Sequence, residues 1–162
     1  MIASSAILSE CGRYRYHLGR TWAGGYRLCY IMLNPSIADA TVDDATIRIC
    51  MGRAKRMGYG GIDVVNLFAL RATDPCNLYT GGWIISEGMD PKRNDRVIQN
   101  TILGARRIIC AWGKHGALLD RGTIVLQYLR DMGLCPMALR LNKDGSPAHP
   151  LRISYDTQPF YF

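Results

Sequence analysis

Apolar and polar positions along this chain follow two rhythms. Arg27–Leu33 (RLCYIML) is a nearly continuous apolar run, cut off by Asn34-Pro35-Ser36. A run of that length ending on Asn-Pro reads as a buried strand entering a loop. Ile62–Asn66, Arg107–Trp112 and Pro136–Leu141 predict three further strands. Between them the spacing becomes helical. Asp44–Met57 puts Ile47, Cys50 and Ala54 on one face, then meets Gly58, Gly60 and Gly61, residues that end helices. Asn94–Ala105 turns Val97, Ile98, Ile102 and Leu103 inward, and His115–Met132 predicts another amphipathic helix. Arg13–His17 alternates basic and aromatic residues, as a short strand or arm would. Arg71–Asp90 is rich in Thr, Pro, Gly and Asn and reads as a long loop.

Strands alternating with helices predict an α/β fold, a three-layer α/β/α domain over residues 1–162 with a short, mostly parallel central sheet. Ligands of such sheets bind beyond the C-terminal ends of the strands. That rule selects four loops: Asn34–Asp44, Asn66–Thr73, Trp112–His115 and Asn142–Leu151.

Composition narrows the class. The chain has 162 residues, 48% of them hydrophobic and 20% charged, which excludes a disordered or fibrous chain. No apolar run reaches the ~20 residues of a membrane-spanning helix, and MIASSAILSE lacks the basic-then-apolar order of a secretory signal. The expected address is the cytoplasm, with no membrane partner. Charge says more: 20 Lys and Arg against 13 Asp and Glu give +7, which favours a polyanionic partner, above all nucleic acid. The six cysteines form no C-x-x-C pair, so a structural zinc site is not expected. Cys29 and Cys110 lie in apolar runs and read as small buried hydrophobes. Nothing calls for a cofactor.

The four loops carry the unusual polar residues. Pro35 stiffens the turn after Asn34, and the Asn34 amide is suited to holding a water or a carbonyl, with Ser36 beside it. Asp43 and Asp44 precede a helix, where a cap is the first expectation for either. Phe68 reads either as a base-stacking platform or as core, and Arg71 either as a phosphate ligand or as surface; Asn66 opens that same segment. Gly113 lets backbone approach a ligand, and Lys114 suits a phosphate. The segment is not a Walker A loop, and Trp112 reads as core. His149, between two prolines in a Gly-opened loop, is badly placed for core packing and well placed to face a pocket.

Taken together, CGRYRYHLGRTW, MLNPSIADATVDDATIR, GYGGIDVVNLFALRATDP and GSPAHPL resemble a family of small bacterial and phage proteins catalogued as a domain of unknown function. The layout also resembles, more distantly, the uracil-DNA glycosylase superfamily. IMLNPS stands where that superfamily has its first motif, and AHPL stands at its His-Pro loop. VVNLFALRAT and IICAWGKHG resemble the intervening strands and loops. Leu33 and Leu151 depart from its usual residues, which points to a base other than uracil. The resemblance implies a uracil-DNA-glycosylase-like fold. It also implies a monofunctional DNA glycosylase that hydrolyses the N-glycosidic bond of a modified or damaged base, with hypermodified phage pyrimidines and anti-phage defence as one setting. Asn34 would then orient or activate the attacking water, with Asp43 or Asp44 assisting, and His149 would stabilise the departing base. Pro35, Ser36, Asp43, Asn66, Phe68, Arg71, Gly113 and Lys114 complete the expected substrate contacts. The expected partner is DNA and the expected form a monomer. Two other readings stand beside this one: a non-catalytic nucleic-acid or nucleotide binder, and a metal-dependent nuclease or phosphohydrolase built on Asp39, Asp43, Asp44 and Asp95.

Overall fold

A computed structural model describes residues 1–80 and 91–162. Seven strands are β1 (Ala3–Leu8), β2 (Arg15–Thr21), β3 (Arg27–Met32), β4 (Gly61–Asn66), β5 (Arg107–Cys110), β6 (Met137–Ala138) and β7 (Phe160–Tyr161), and three α-helices are α1 (Ala45–Arg56), α2 (Pro91–Leu103) and α3 (Arg121–Asp131). The strands form one sheet in the order β1-β2-β4-β3-β5-β6-β7.

The α/β class holds, but the sheet is mixed rather than mostly parallel. Only the middle pairs, β4 with β3, β3 with β5 and β5 with β6, run parallel. The pairs β1–β2, β2–β4 and β6–β7 are antiparallel, as are two isolated bridges, Tyr14 to Leu70 and Leu141 to Pro147. Chain length between strands explains the split. A short turn from Leu8 to Arg15 can only return the chain antiparallel, whereas α1 between β3 and β4 supplies the crossover a parallel pair needs. β1 and β7 went unpredicted because ASSAIL is largely exposed and FY is two exposed residues, so neither shows an apolar rhythm.

The central strands match their sequence. All six residues of β4 and the last five of β3 are buried, as expected for strands covered on both faces. Alternate β3 residues enter different cores. Leu28, Tyr30 and Met32 join Ile47, Cys50 and Ala54 of α1, whereas Cys29 and Ile31 join Ile98 and Ile102 of α2 and Val125 and Leu129 of α3. Cys29 and Cys110 are buried and all six thiols are free.

Boundaries moved in two helices. α2 covers Pro91–Leu103 rather than 94–105. The expected helix over His115–Met132 divides into a 3-10 segment, Lys114–Asp120, and α3. The break lies at Leu119 and Asp120, both at a left-handed φ of 53°, a conformation that costs non-glycine residues energy. Trp112 packs beside the segment: a Cβ on Gly116 would stand 2.1 Å from its ring. The expected 71–90 loop contains a 3-10 turn, Pro75–Thr80, and its residues 81–90 lie outside the described residues. Among the described residues, no helix is long and apolar enough to cross a membrane.

Candidate functional site

Beyond the C-terminal ends of the parallel strands lies a cavity of about 680 Å³, within the range of small-molecule sites, ~300–1,000 Å³. All four loops selected from the sequence contribute to it: Asn34, Ser36 and Asp44 from the first, Ala72 and Thr73 from the second, Gly113 and Lys114 from the third, Asn142 and His149 from the fourth.

Each polar group is held by local structure. The Asn34 Nδ2 donates to the Ala72 carbonyl at 2.8 Å, and the Ala72 N–H donates to the Pro35 carbonyl at 2.8 Å. These bonds stitch the loop after β3 to the loop after β4. Among the described residues nothing donates to the Asn34 Oδ1. Asp44 caps α1, its Oδ1 accepting the Ile47 N–H at 2.9 Å, while the side chain also lines the cavity.

His149 sits on a braced loop. Ala148 N–H donates to the Arg140 carbonyl at 2.8 Å, and Gly113 N–H donates to the Pro147 carbonyl at 2.8 Å. Gly113 holds a φ of 70°, which a side chain would strain. The His149 Nδ1 accepts the Leu151 N–H at 3.4 Å. In a neutral imidazole that assignment leaves the proton on Nε2, as a donor. Desolvation by the cavity walls lowers the His149 pKa from the ordinary histidine value, and the Asp44 carboxylate opposes the shift. The neutral, donating ring is therefore the form at neutral pH.

The remaining expected residues separate. Pro35 is buried under the first loop. Asp43 lies outside the cavity lining and pairs with Arg20 at 2.8 Å. Phe68, 3% exposed, belongs to the core, so base stacking gives way to packing. Arg71 donates to the Gly12 and Ile37 carbonyls, bracing the first loop from behind rather than meeting a ligand. Asn66 is buried outside the cavity lining, with neither side-chain polar atom bonded.

Four ionisable lining residues were not among the candidates read from the sequence: Arg15, His115, Arg140 and Arg152. His115 Nδ1 stands 2.9 Å from the Tyr79 hydroxyl. The signal for Arg15 was its place in the basic-aromatic alternation, though only the bridge from Tyr14 to Leu70 shows that the segment is interior. Among the described residues the cavity wall thus carries four cationic side chains, Arg15, Lys114, Arg140 and Arg152, against the single carboxylate of Asp44.

The aspartates of the metal-site reading are scattered and engaged. Asp39 accepts the Thr41 and Val42 N–H groups, Asp43 pairs with Arg20, Asp44 caps α1 and Asp95 meets Arg121 at 2.5 Å. No group of three or more His, Cys, Asp or Glu among the described residues is arranged to hold a metal ion.

Residues 15–151 match the family described as "Protein of unknown function (DUF1643)". No curated protein and no solved structure matches the chain.

Proposed function

Since the chain belongs to the DUF1643 family, whose description assigns no activity, we propose from the site itself that it hydrolyses the N-glycosidic bond of a modified or damaged base in DNA. One observation carries this reading. Asn34 and His149 line the same cavity, each anchored through one polar atom and each keeping the other uncommitted among the described residues.

The chemistry suits that pair. Breaking the C1′–N bond builds positive charge on the sugar and negative charge on the departing base. A neutral His149 donates from Nε2 to a base oxygen as its charge grows, the kind of preorganised donor that lowers such barriers. Asn34 Oδ1 accepts from a water, aiming its oxygen at C1′. One water proton then passes to the base or the solvent, and the other stays on the new C1′ hydroxyl. The Asp44 carboxylate favours the cationic sugar. Lys114, Arg140 and Arg152 attract the phosphates of the strand, which helps to offset the few kcal/mol needed to extrude a base. The helices on the two cores also support a uracil-DNA-glycosylase-like layering around the parallel middle of the sheet.

The test is base release. Purified protein, with EDTA, is incubated with plain, uracil-containing and phage-modified DNA, and each sample is then treated with hot alkali. Strand breaks that appear only after alkali are expected in at least one lane and absent with His149→Ala. Breaks that need Mg²⁺ and no alkali would instead make the protein a nuclease. DNA binding with no base released from any substrate would make it a binder.

A further inference from the structure

Arg15 differs from the other buried arginines. Arg53 gives both terminal nitrogens to the carbonyls of Ile153, Ser154, Tyr155 and Thr157. Arg20 has the Asp43 carboxylate. Arg15 is 2% exposed and lines the cavity, yet the only side-chain hydrogen bond it makes among the described residues runs from Nη1 to the Ala38 carbonyl. Its Nε, like that of Arg53, is buried without a partner, and among the described residues no carboxylate stands within ion-pair distance. Burial disfavours its charge most, Asp44 and Asp39 favour it only through space, and Arg71 and Arg20 oppose it.

A guanidinium taken out of water without a counter-charge is costly, and buried charges are ordinarily paired. The missing partner is an anion with two or more acceptor oxygens, the shape that a guanidinium fork matches. Arg140 and Arg152 line the same cavity and have no acceptor among the described residues, so the anion would meet more than one cation.

We propose that the inner wall of the cavity at Arg15 is an oxyanion subsite, and that the ligand places a phosphate or carboxylate group there. The proposal deepens the glycosidase reading and rests on it only for the choice of cavity. The oxyanion has two possible sources, a backbone phosphate of the nucleotide or an acidic substituent on a modified base.

Binding without turnover tests it. Inorganic phosphate is titrated into the unmodified protein while the arginine Nε–H signals are followed by ¹⁵N NMR and the melting temperature is recorded. A buried Nε–H resonance is expected to shift saturably, with a rise in Tm. In Arg15→Met the phosphate affinity should fall roughly tenfold or more, the scale of one charged hydrogen bond. Arg140→Ala/Arg152→Ala, which removes no side-chain hydrogen bond among the described residues, should weaken phosphate more modestly. If Arg15→Met does not fold, the wild-type titration decides alone.

Three nucleoside probes separate the sources. Tighter binding of 2′-deoxycytidine 5′-monophosphate than of 2′-deoxycytidine assigns the subsite to phosphate. Tighter binding of 5-carboxy-2′-deoxycytidine assigns it to the base. An unmoved Nε–H spectrum, equal affinity in a folded Arg15→Met, or no preference for either anionic probe overturns the proposal. Because no arm requires base release, the subsite and the glycosidase activity can fail independently.

Discussion

Two histidines of this protein, each with an aspartate near it, have opposite fates. On the antiparallel flank, His17 Nε2 meets Asp63 Oδ1 at 2.8 Å, and Arg27 donates to both Asp63 oxygens, at 2.6 and 2.8 Å. Arg27 also donates to Thr21 and to the Ile62 carbonyl. That cluster is closed, because each oxygen of Asp63 is taken from within the sheet. At the C-terminal ends of the parallel strands, His149 and Asp44 each give one atom to a backbone N–H and present the rest to a cavity. The residue types are alike. What distinguishes the closed pair from the open one is the valence that the fold leaves facing the cavity.

The largest effect should come from removing the open group. His149→Ala is expected to lower base release about 10²–10³-fold, the scale of losing one preorganised donor, with little change in thermal stability. His17→Ala should do the reverse, lowering Tm and leaving turnover within about twofold, since His17 is not among the residues that line the cavity. The pH profile sharpens the contrast. The pKa of His149 lies below the ordinary histidine value, so the donating neutral ring persists at neutral pH. Turnover should fall only as pH drops below ~6.5 and the ring becomes charged. A rate that instead rises on acidification would make His149 a general acid.

Asp63→Ala should have the next largest effect, this time on stability. It strands Arg27 among half-buried surroundings at a cost of about 2–3 kcal/mol, by urea unfolding at pH 7. Burial works against the Asp63 carboxylate, but hydrogen bonds from His17 and Arg27 prevail and bring its pKa down to about 2. A carboxylate with a lowered folded pKa stabilises above its unfolded value, ~3.9, and that contribution fades as pH falls toward 2. The wild type should therefore lose more stability than Asp63→Ala between pH 5 and pH 2, a window about those values.

Asp44 tests whether one residue serves both regimes. Asp44→Ala removes the α1 cap and should cost ~1 kcal/mol, whereas Asn caps about as well as Asp. Asp44→Asn should thus keep the melting temperature and still slow base release, since only the charge beside the sugar is gone. Equal turnover in Asp44→Asn and wild type would confine Asp44 to capping.

How much of this was legible in the sequence depends on whether a pattern is local. The apolar runs of β3 and β4 and the face of α1 carry their own signal, and the rule that ligands sit beyond parallel strands selected four loops that line one cavity. Asn34 and His149 stood out because each is flanked by proline in a polar loop. Arg15, Arg71 and Phe68 could not be sorted that way. Which guanidinium braces a loop and which faces a cavity depends on bonds to Ala38, Gly12 and Ile37, each more than 20 residues away along the chain. Nor does anything in ASSAIL announce a strand, because β1 is held by its pairing with β2 rather than by burial.

Asn66 gives the smallest effect and the finest discrimination. It ends β4 and is 1% exposed, and neither its Oδ1 nor its Nδ2 has a hydrogen-bond partner. Its backbone carbonyl, not its side chain, takes the Asn94 Nδ2 at 3.1 Å. A buried amide without partners contributes its desolvation cost and little else, so an apolar group of similar volume should be tolerated. Asn66→Leu is expected to change unfolding free energy by less than about 1 kcal/mol, in either direction, and to leave base release unchanged. A loss above ~2 kcal/mol would mean that polar contacts at Asn66 hold the end of β4. A collapse of turnover at unchanged stability would extend the site beyond the cavity to the interior side of β4, and the boundary drawn here between closed and open groups would have to move with it.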